Sequence, residues 1–140
     1  MRLLRQKISF WFQSAADNIR EHGANVEYFG EIWNDADQEA QRRVKDDSVL
    51  YINPFDHPKI WTGHATMITE LKADLKNVKP SLVVCSVGGG GLLAGILEGL
   101  SNENWDDVPV LAMETYGAES LNAAMEKKVI KKLLNNWAMT

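Results

Sequence analysis

Four consecutive glycines, Gly88 to Gly91, stand between the apolar run Leu82-Val83-Val84-Cys85-Ser86-Val87 and the apolar stretch Leu92 to Leu100. A continuous β-branched run of this kind reads as a strand buried in a parallel sheet. The stretch after the glycines reads as a helix. The loop therefore falls at the carboxyl end of a strand and opens a helix, where open α/β sheets place their ligands. Glycines leave no Cβ in a ligand's way and let several N–H groups converge on one point. The helix N-terminus adds unpaired donors and a partial positive charge. A phosphate monoester dianion is the guest such a loop fits. Two other readings stand beside it. One is a tight turn that permits close helix–strand packing, although four glycines exceed what a turn requires. The other is a dinucleotide fingerprint, because Gly89, Gly91 and Ala94 satisfy G-x-G-x-x-A and Glu114 ends the next strand. Spacing alone does not separate the two phosphate readings.

The rest of the chain alternates between strand-like and helical segments. A helix ends at Gly23, which reads as its C-cap residue. Residues 24–30 (ANVEYFG) read as a strand, and Asn34 or Asp35 caps a helix through Ala36, Ala40 and Val44. Residues 48–53 (SVLYIN) form a second short strand, followed by the loop Pro54-Phe55-Asp56-His57-Pro58. Apolar residues from Ile60 to Leu75 recur at helical spacing, and Pro80 ends that unit. Residues 108–114 (VPVLAME) read as another buried strand. This order predicts an α/β fold, a parallel sheet with flanking helices built from βαβ units.

Composition narrows the function classes. Of 140 residues, 45% are hydrophobic and 24% charged, as in an ordinary soluble globular domain. A formal net charge of −4, with no basic face before the tail, argues against a nucleic-acid partner. No apolar run reaches membrane-spanning length. The single cysteine, Cys85, allows no internal disulfide and fits a reducing, cytoplasmic setting. Arg2, Arg5 and Lys7 lie among Leu3, Leu4, Ile8, Phe10, Trp11 and Phe12 ahead of the first acid, Asp17. This start reads as an amphipathic helix or a segment foreign to the domain, ahead of a mitochondrial transit peptide.

Several motifs in order carry a family resemblance. Ser86 to Leu92, then Ala112-Met113-Glu114-Thr115 with Gly117-Ala118, resemble the middle of the mammalian-type L-serine dehydratase and threonine deaminase family. So do Tyr51 to Pro58, Ile60-Trp61, Gly63-His64-Ala65, and the stretch from Gly23-Ala24 to Gly30-Glu31. The match covers residues 17–128, with 1–16 and 129–140 as non-matching segments. The resemblance implies part of a fold-type II pyridoxal 5′-phosphate (PLP) enzyme, the fold of the tryptophan synthase β chain. It implies removal of the hydroxyl from L-serine or L-threonine, giving pyruvate or 2-oxobutanoate plus ammonia. It places the cofactor phosphate on Gly88, Gly89, Gly90 and Gly91. It places a monovalent cation such as potassium near Gly88, Glu114, Ala118 and Ser120, and an oxygen-rich set of this kind suits a hard cation. The family's Schiff-base lysine lies in a Ser-Phe-Lys motif, whereas here Ser9-Phe10 is followed by Trp11. Its substrate-carboxylate loop and its Cys or Ser facing the pyridine nitrogen are not matched either. The chain is therefore expected to be inactive by itself, and no catalytic residue is assigned. A homodimer, or pairing with a full-length relative through an exposed sheet edge, is the expected association.

The remaining candidates have plainer readings. His22, His57 and His64 fit no metal signature and read as loop or cap residues. Cys85 reads as a small buried hydrophobe. Trp33, Trp61 and Trp105 read as core or interface aromatics. Asp35, Asp37, Asp46 and Asp47 read as a solvated helix face, and the lysines between Lys127 and Lys132 as a solvated end.

Overall fold

The computed structural model describes residues 10–44 and 50–127. The chain divides into two compact units, Met1–Ile52 and Asn53–Thr140.

In the first unit, helix α1 spans Phe10–Glu21 and helix α2 spans Trp33–Arg43. Gly23, at φ +84°, ends α1 as the sequence indicated, with its N–H donating to the Arg20 carbonyl at 2.8 Å. The start of α2 differs from expectation. Ile32 holds the N-cap position, and Asp35 works from inside the first turn. Its carboxylate accepts from the N–H groups of Glu31 (2.9 Å) and Ile32 (3.3 Å). An acid in the first turn both satisfies orphan donors and meets the positive end of the helix dipole. Asp37 is likewise engaged, accepting from the Tyr51 hydroxyl and from Gln41. Asp46 and Asp47 lie outside the described residues.

Residues 24–30 are not a strand. A strand needs a neighbour to take its N–H and C=O groups, and among the described residues no strand pairs with this segment. Gly30, at φ +72°, then turns the chain into α2. In the other expected strand, residues 50–53 have no regular structure, and 48 and 49 lie outside the described residues.

The second unit is the α/β core. Helix α3 spans Pro58–Asp74, strand β1 Val83–Ser86, helix α4 Gly91–Asn102, strand β2 Val110–Met113 and helix α5 Ser120–Glu126. Strands β1 and β2 are parallel, with Val83 opposite Val110 and Cys85 opposite Ala112. The β1–α4–β2 crossover is thus the expected βαβ unit. Alternation along the strands turns Cys85 toward the core, where it meets Ile68, Val87, Ile96, Leu100, Trp105 and Val108. Leu100 is wholly buried, which contributes about 1.5–3 kcal/mol for a side chain of its size.

Helix α3 lies against α4 at close range. A Cβ on Gly95 would stand 2.7 Å from the Trp61 carbonyl oxygen and would overlap the His64 side chain. One on Gly99 would stand 2.7 Å from both the Ala65 carbonyl oxygen and Cγ1 of Ile68. The two glycines are one turn apart, so they form a flat stripe that admits the α3 backbone. Polar pairs border the contact: Thr62 with Glu98 at 2.9 Å, and Glu103 with both Thr69 (2.7 Å) and Lys72 (2.8 Å). Together these place the start of α4, and the glycine loop before it, at the carboxyl end of β1.

Candidate functional site

The ladder between the strands ends where the Val87 N–H donates to the Met113 carbonyl at 2.8 Å. Beyond it the backbone has no further strand to follow. Gly88 and Gly89 are exposed, Gly90 is half-buried and Gly91 is buried as the first residue of α4. Gly90 caps that helix at φ +90°, ψ −9°, a left-handed conformation in which a Cβ would be strained. The first helical bond runs from the Ala94 N–H to the Gly90 carbonyl at 2.9 Å. Among the described residues, none of the N–H groups from Gly88 to Leu93 donates to a protein acceptor. Six consecutive donors at a helix N-terminus are the components of an anion site.

Steric space separates the glycines into two pairs. A Cβ on Gly88 or Gly90 would meet nothing within 4 Å. One on Gly89 would run into the ring of Phe55, and one on Gly91 would stand 2.7 Å from the Phe55 carbonyl oxygen. The loop is therefore packed on one side and open on the other. The residues present fit a phosphate monoester, because unpaired donors and free space coincide.

Of the second predicted group, the structure brings Gly88, Glu114 and Ser120 within hydrogen-bonding reach of one another. The Ser120 hydroxyl lies 2.9 Å from the Gly88 carbonyl oxygen and 3.3 Å from Oε1 of Glu114, and its one proton is shared between them. The Ala118 carbonyl accepts from the Ser120 N–H at 3.0 Å. Glu114 in turn accepts from the N–H groups of Leu121 (2.7 Å) and Asn122 (2.9 Å), so it caps α5 from the end of β2. The Leu121 N–H above all, followed by that of Asn122 and the Ser120 hydroxyl, holds the Glu114 carboxyl below its ordinary range. Three of its acceptor positions are thus committed. This leaves little for the ribose hydroxyls that an acid at this place holds in a dinucleotide site. These partners are all neutral, and among the described residues no cation pairs with the carboxylate.

Some of the other candidates fall where the plainer readings put them, but His64, expected as a loop or cap residue, lies inside α3, because its half-buried side chain packs on the α4 glycine stripe. His57 caps α3, its ring accepting from the Lys59 N–H at 3.1 Å with Pro58 at the first helical position. His22 bonds the Asn18 carbonyl within its own turn at 2.8 Å, and half-buried His64 packs on Gly95. Cys85 is 7% exposed, and burial pushes its thiol pKa upward. Trp105 is buried in the core, whereas Trp33 keeps 46% of its surface exposed. Among the described residues no three His, Cys, Asp or Glu side chains converge on a common point as a metal site would need. None of the described helices is long and apolar enough to cross a membrane.

Phe55 was missed as a site residue. It lay in view within the motif Asn53-Pro54-Phe55-Asp56, but nothing in its spacing linked it to glycines more than thirty positions away. Asn53 Oδ1 accepts from the N–H groups of Phe55 (3.0 Å) and Asp56 (2.7 Å), an Asx-type turn. The Trp61 indole N–H donates to the Phe55 carbonyl at 2.8 Å.

A family model described as pyridoxal-phosphate dependent enzyme matches residues 6–139. An L-serine dehydratase/L-threonine deaminase of Mus musculus is 46% identical over 112 residues, which are 79% of this chain and 34% of that protein. An L-serine dehydratase of Dictyostelium discoideum is 39% identical over 126 residues, covering 86% of this chain and 36% of its own length. The chain thus spans about a third of the curated relatives it matches. The crystal structure of a fungal L-serine ammonia-lyase from Rhizomucor miehei superposes with a TM-score of 0.74 at 37% identity, over 83% of this chain and 36% of that one. Serine racemase from Dictyostelium discoideum shares the fold at a TM-score of 0.66 and 24% identity, over 83% of this chain and 37% of that one. With its parallel βαβ unit and open glycine loop, the chain belongs to the family of pyridoxal-phosphate-dependent enzymes.

Proposed function

We propose that this chain carries the phosphate-holding part of a PLP-dependent L-serine or L-threonine dehydratase site. The observation that carries this reading is the row of unpaired N–H groups from Gly88 to Leu93 beside open space at Gly88 and Gly90. Gly88, Gly89, Gly90 and Gly91 hold the cofactor phosphate through backbone donors and the positive end of α4. When bound, PLP supplies the electron sink that acidifies the Cα–H of an amino acid, the chemistry that precedes loss of a β-hydroxyl. Gly88 can serve two groups at once, because its N–H and its C=O belong to different peptide planes. Its carbonyl, with those of Ala118, the Ser120 hydroxyl and the Glu114 carboxylate, forms an oxygen set suited to a monovalent cation such as potassium. Cys85, a lone free thiol, fits a reducing cytoplasmic setting.

Titration of the chain with PLP and with pyridoxal, followed by fluorescence, tests the cradle. Tighter binding of the phosphorylated form is expected, and equal binding of the two would remove the reading. The 140 residues hold no Ser-Phe-Lys motif. A coupled assay for pyruvate from L-serine is accordingly expected to show no turnover by the chain alone.

A second reading, pairing with a full-length relative, is favoured by one observation. Val84, Leu111 and Met113 share the sheet face opposite the core and keep 57%, 46% and 51% of their surface exposed. Parallel strands are ordinarily covered on both faces. Co-purification with an intact dehydratase supports this pairing, and a stable lone monomer argues against it.

A further inference from the structure

We propose that Phe55 is the positioning residue of the phosphate loop, holding it in its donor-presenting form. The inference rests on the reading of Gly88–Gly91 as a phosphate cradle, and it names what keeps that cradle in shape. Glycine loses more backbone freedom on ordering than any other residue, so four in a row do not hold one conformation unaided. Their neighbours must restrict them. On the open side, Gly88 and Gly90 have nothing within reach of a Cβ. On the packed side, Phe55 supplies the nearest wall: its ring lies against Gly89, and its main chain lies against Gly91. One residue therefore touches both alternate glycines and leaves the other two facing the guest.

Phe55 is itself anchored. Asn53 accepts from its N–H at 3.0 Å and Trp61 donates to its carbonyl at 2.8 Å. Trp61 belongs to α3, the helix that also packs on Gly95 and Gly99 of α4. The same helix thus fixes the axis of α4 directly and the loop before it through Phe55. The ring takes no part in bonding a phosphate. It raises affinity by having the loop already ordered when the anion arrives.

The test compares wild type, Phe55→Ala, Phe55→Leu and Trp61→Phe as full 140-residue chains, each checked for folding by far-ultraviolet circular dichroism. Dissociation constants are measured for PLP and for pyridoxal. Amide spectra of ¹⁵N-glycine-labelled protein are recorded during titration with inorganic phosphate. The Phe55→Ala chain is expected to bind PLP about tenfold more weakly, with pyridoxal unchanged and the phosphate-induced glycine shifts lost. Phe55→Leu keeps most of the wall and stays within about threefold of wild type, and Trp61→Phe shows a smaller loss than Phe55→Ala in the same direction. If Phe55→Ala keeps the wild-type preference for PLP over pyridoxal, the role is overturned. An equal loss of both ligands also overturns it, since that marks a general structural defect. If Phe55→Ala does not fold, Phe55→Leu and Trp61→Phe decide: wild-type affinity in Trp61→Phe, or full loss in Phe55→Leu, sinks the proposal. A wild-type chain that does not distinguish PLP from pyridoxal refutes the cradle itself, and the role of Phe55 with it.

Discussion

The ring of Phe55 occupies the place that a side chain on Gly89 would need: a Cβ built there would lie 2.8 Å from Cε1 and closer still to Cγ. Gly89 is therefore small for a packing reason, whereas Gly88, one position earlier, is small beside open space. Alanine substitutions at the two sites should behave differently. Gly88→Ala is expected to change stability by no more than about 1 kcal/mol. It should nevertheless weaken PLP binding about tenfold or more, because its methyl enters the space assigned to the phosphate. Gly89→Ala should lose both stability and binding. Gly90→Ala should cost about 1–2 kcal/mol through its left-handed backbone alone. Chemical denaturation beside PLP titration separates these effects, and equal behaviour of Gly88→Ala and Gly89→Ala would contradict the two-sided loop.

The α3–α4 contact makes a second pair of contrasting predictions. Gly99→Ala pushes a methyl against the Ala65 carbonyl and Ile68, and is expected to destabilise by about 1–3 kcal/mol. Gly63, within α3, has nothing within 4 Å of a Cβ. Gly63→Ala is expected to stabilise by about 0.5–1 kcal/mol, since alanine is the better helix former. Urea midpoints that move in the same direction for both variants would argue against the close approach of the two helices.

Glu114 predicts a pH dependence with a definite sign. Its carboxyl is held below the ordinary value of 4.5, first by the Leu121 N–H, so the folded chain favours the ionised form. Its stabilisation is complete above pH 4.5 and is lost as pH falls below that value through the lower folded pKa. Glu114→Gln should therefore be less stable than wild type at neutral pH, with the difference shrinking in acid. The Glu103 carboxyl is also lowered, chiefly by Lys72, but it is common to both proteins and leaves the difference intact. Thermal melts of the two chains between pH 3 and 7 check this, and a gap that widens in acid would exclude the capping role.

Cys85 is buried on β1 and its thiol pKa is raised by that burial. Reaction with an aromatic disulfide reagent at neutral pH is expected to be at least about tenfold slower in the native chain than in urea, because the thiolate is the reacting form. Fast native labelling would mean that β1 is not covered by α4 as described.

Much of this molecule was legible in order along the chain. The β-branched run, the glycines and the apolar stretch after them announce a strand, a loop and a helix through local periodicity and steric rules, and they mark their junction as the candidate anion site. The cap of α3 by His57 and the burial of Cys85 follow from the same local chemistry. The two strands expected before residue 54 were not borne out where the structure describes them, because a strand is defined by its neighbour, and an apolar run does not disclose whether one exists. The same limit applies to Phe55, which meets Gly89 and Gly91 only because α3 lies on the small-residue stripe of α4. Glu114 turns from a strand-end acid into the cap of α5 for the same reason. Backbone preference acts between adjacent residues and can be read in sequence. Which side chain stands opposite which glycine depends on packing between distant elements, and only the folded chain decides it.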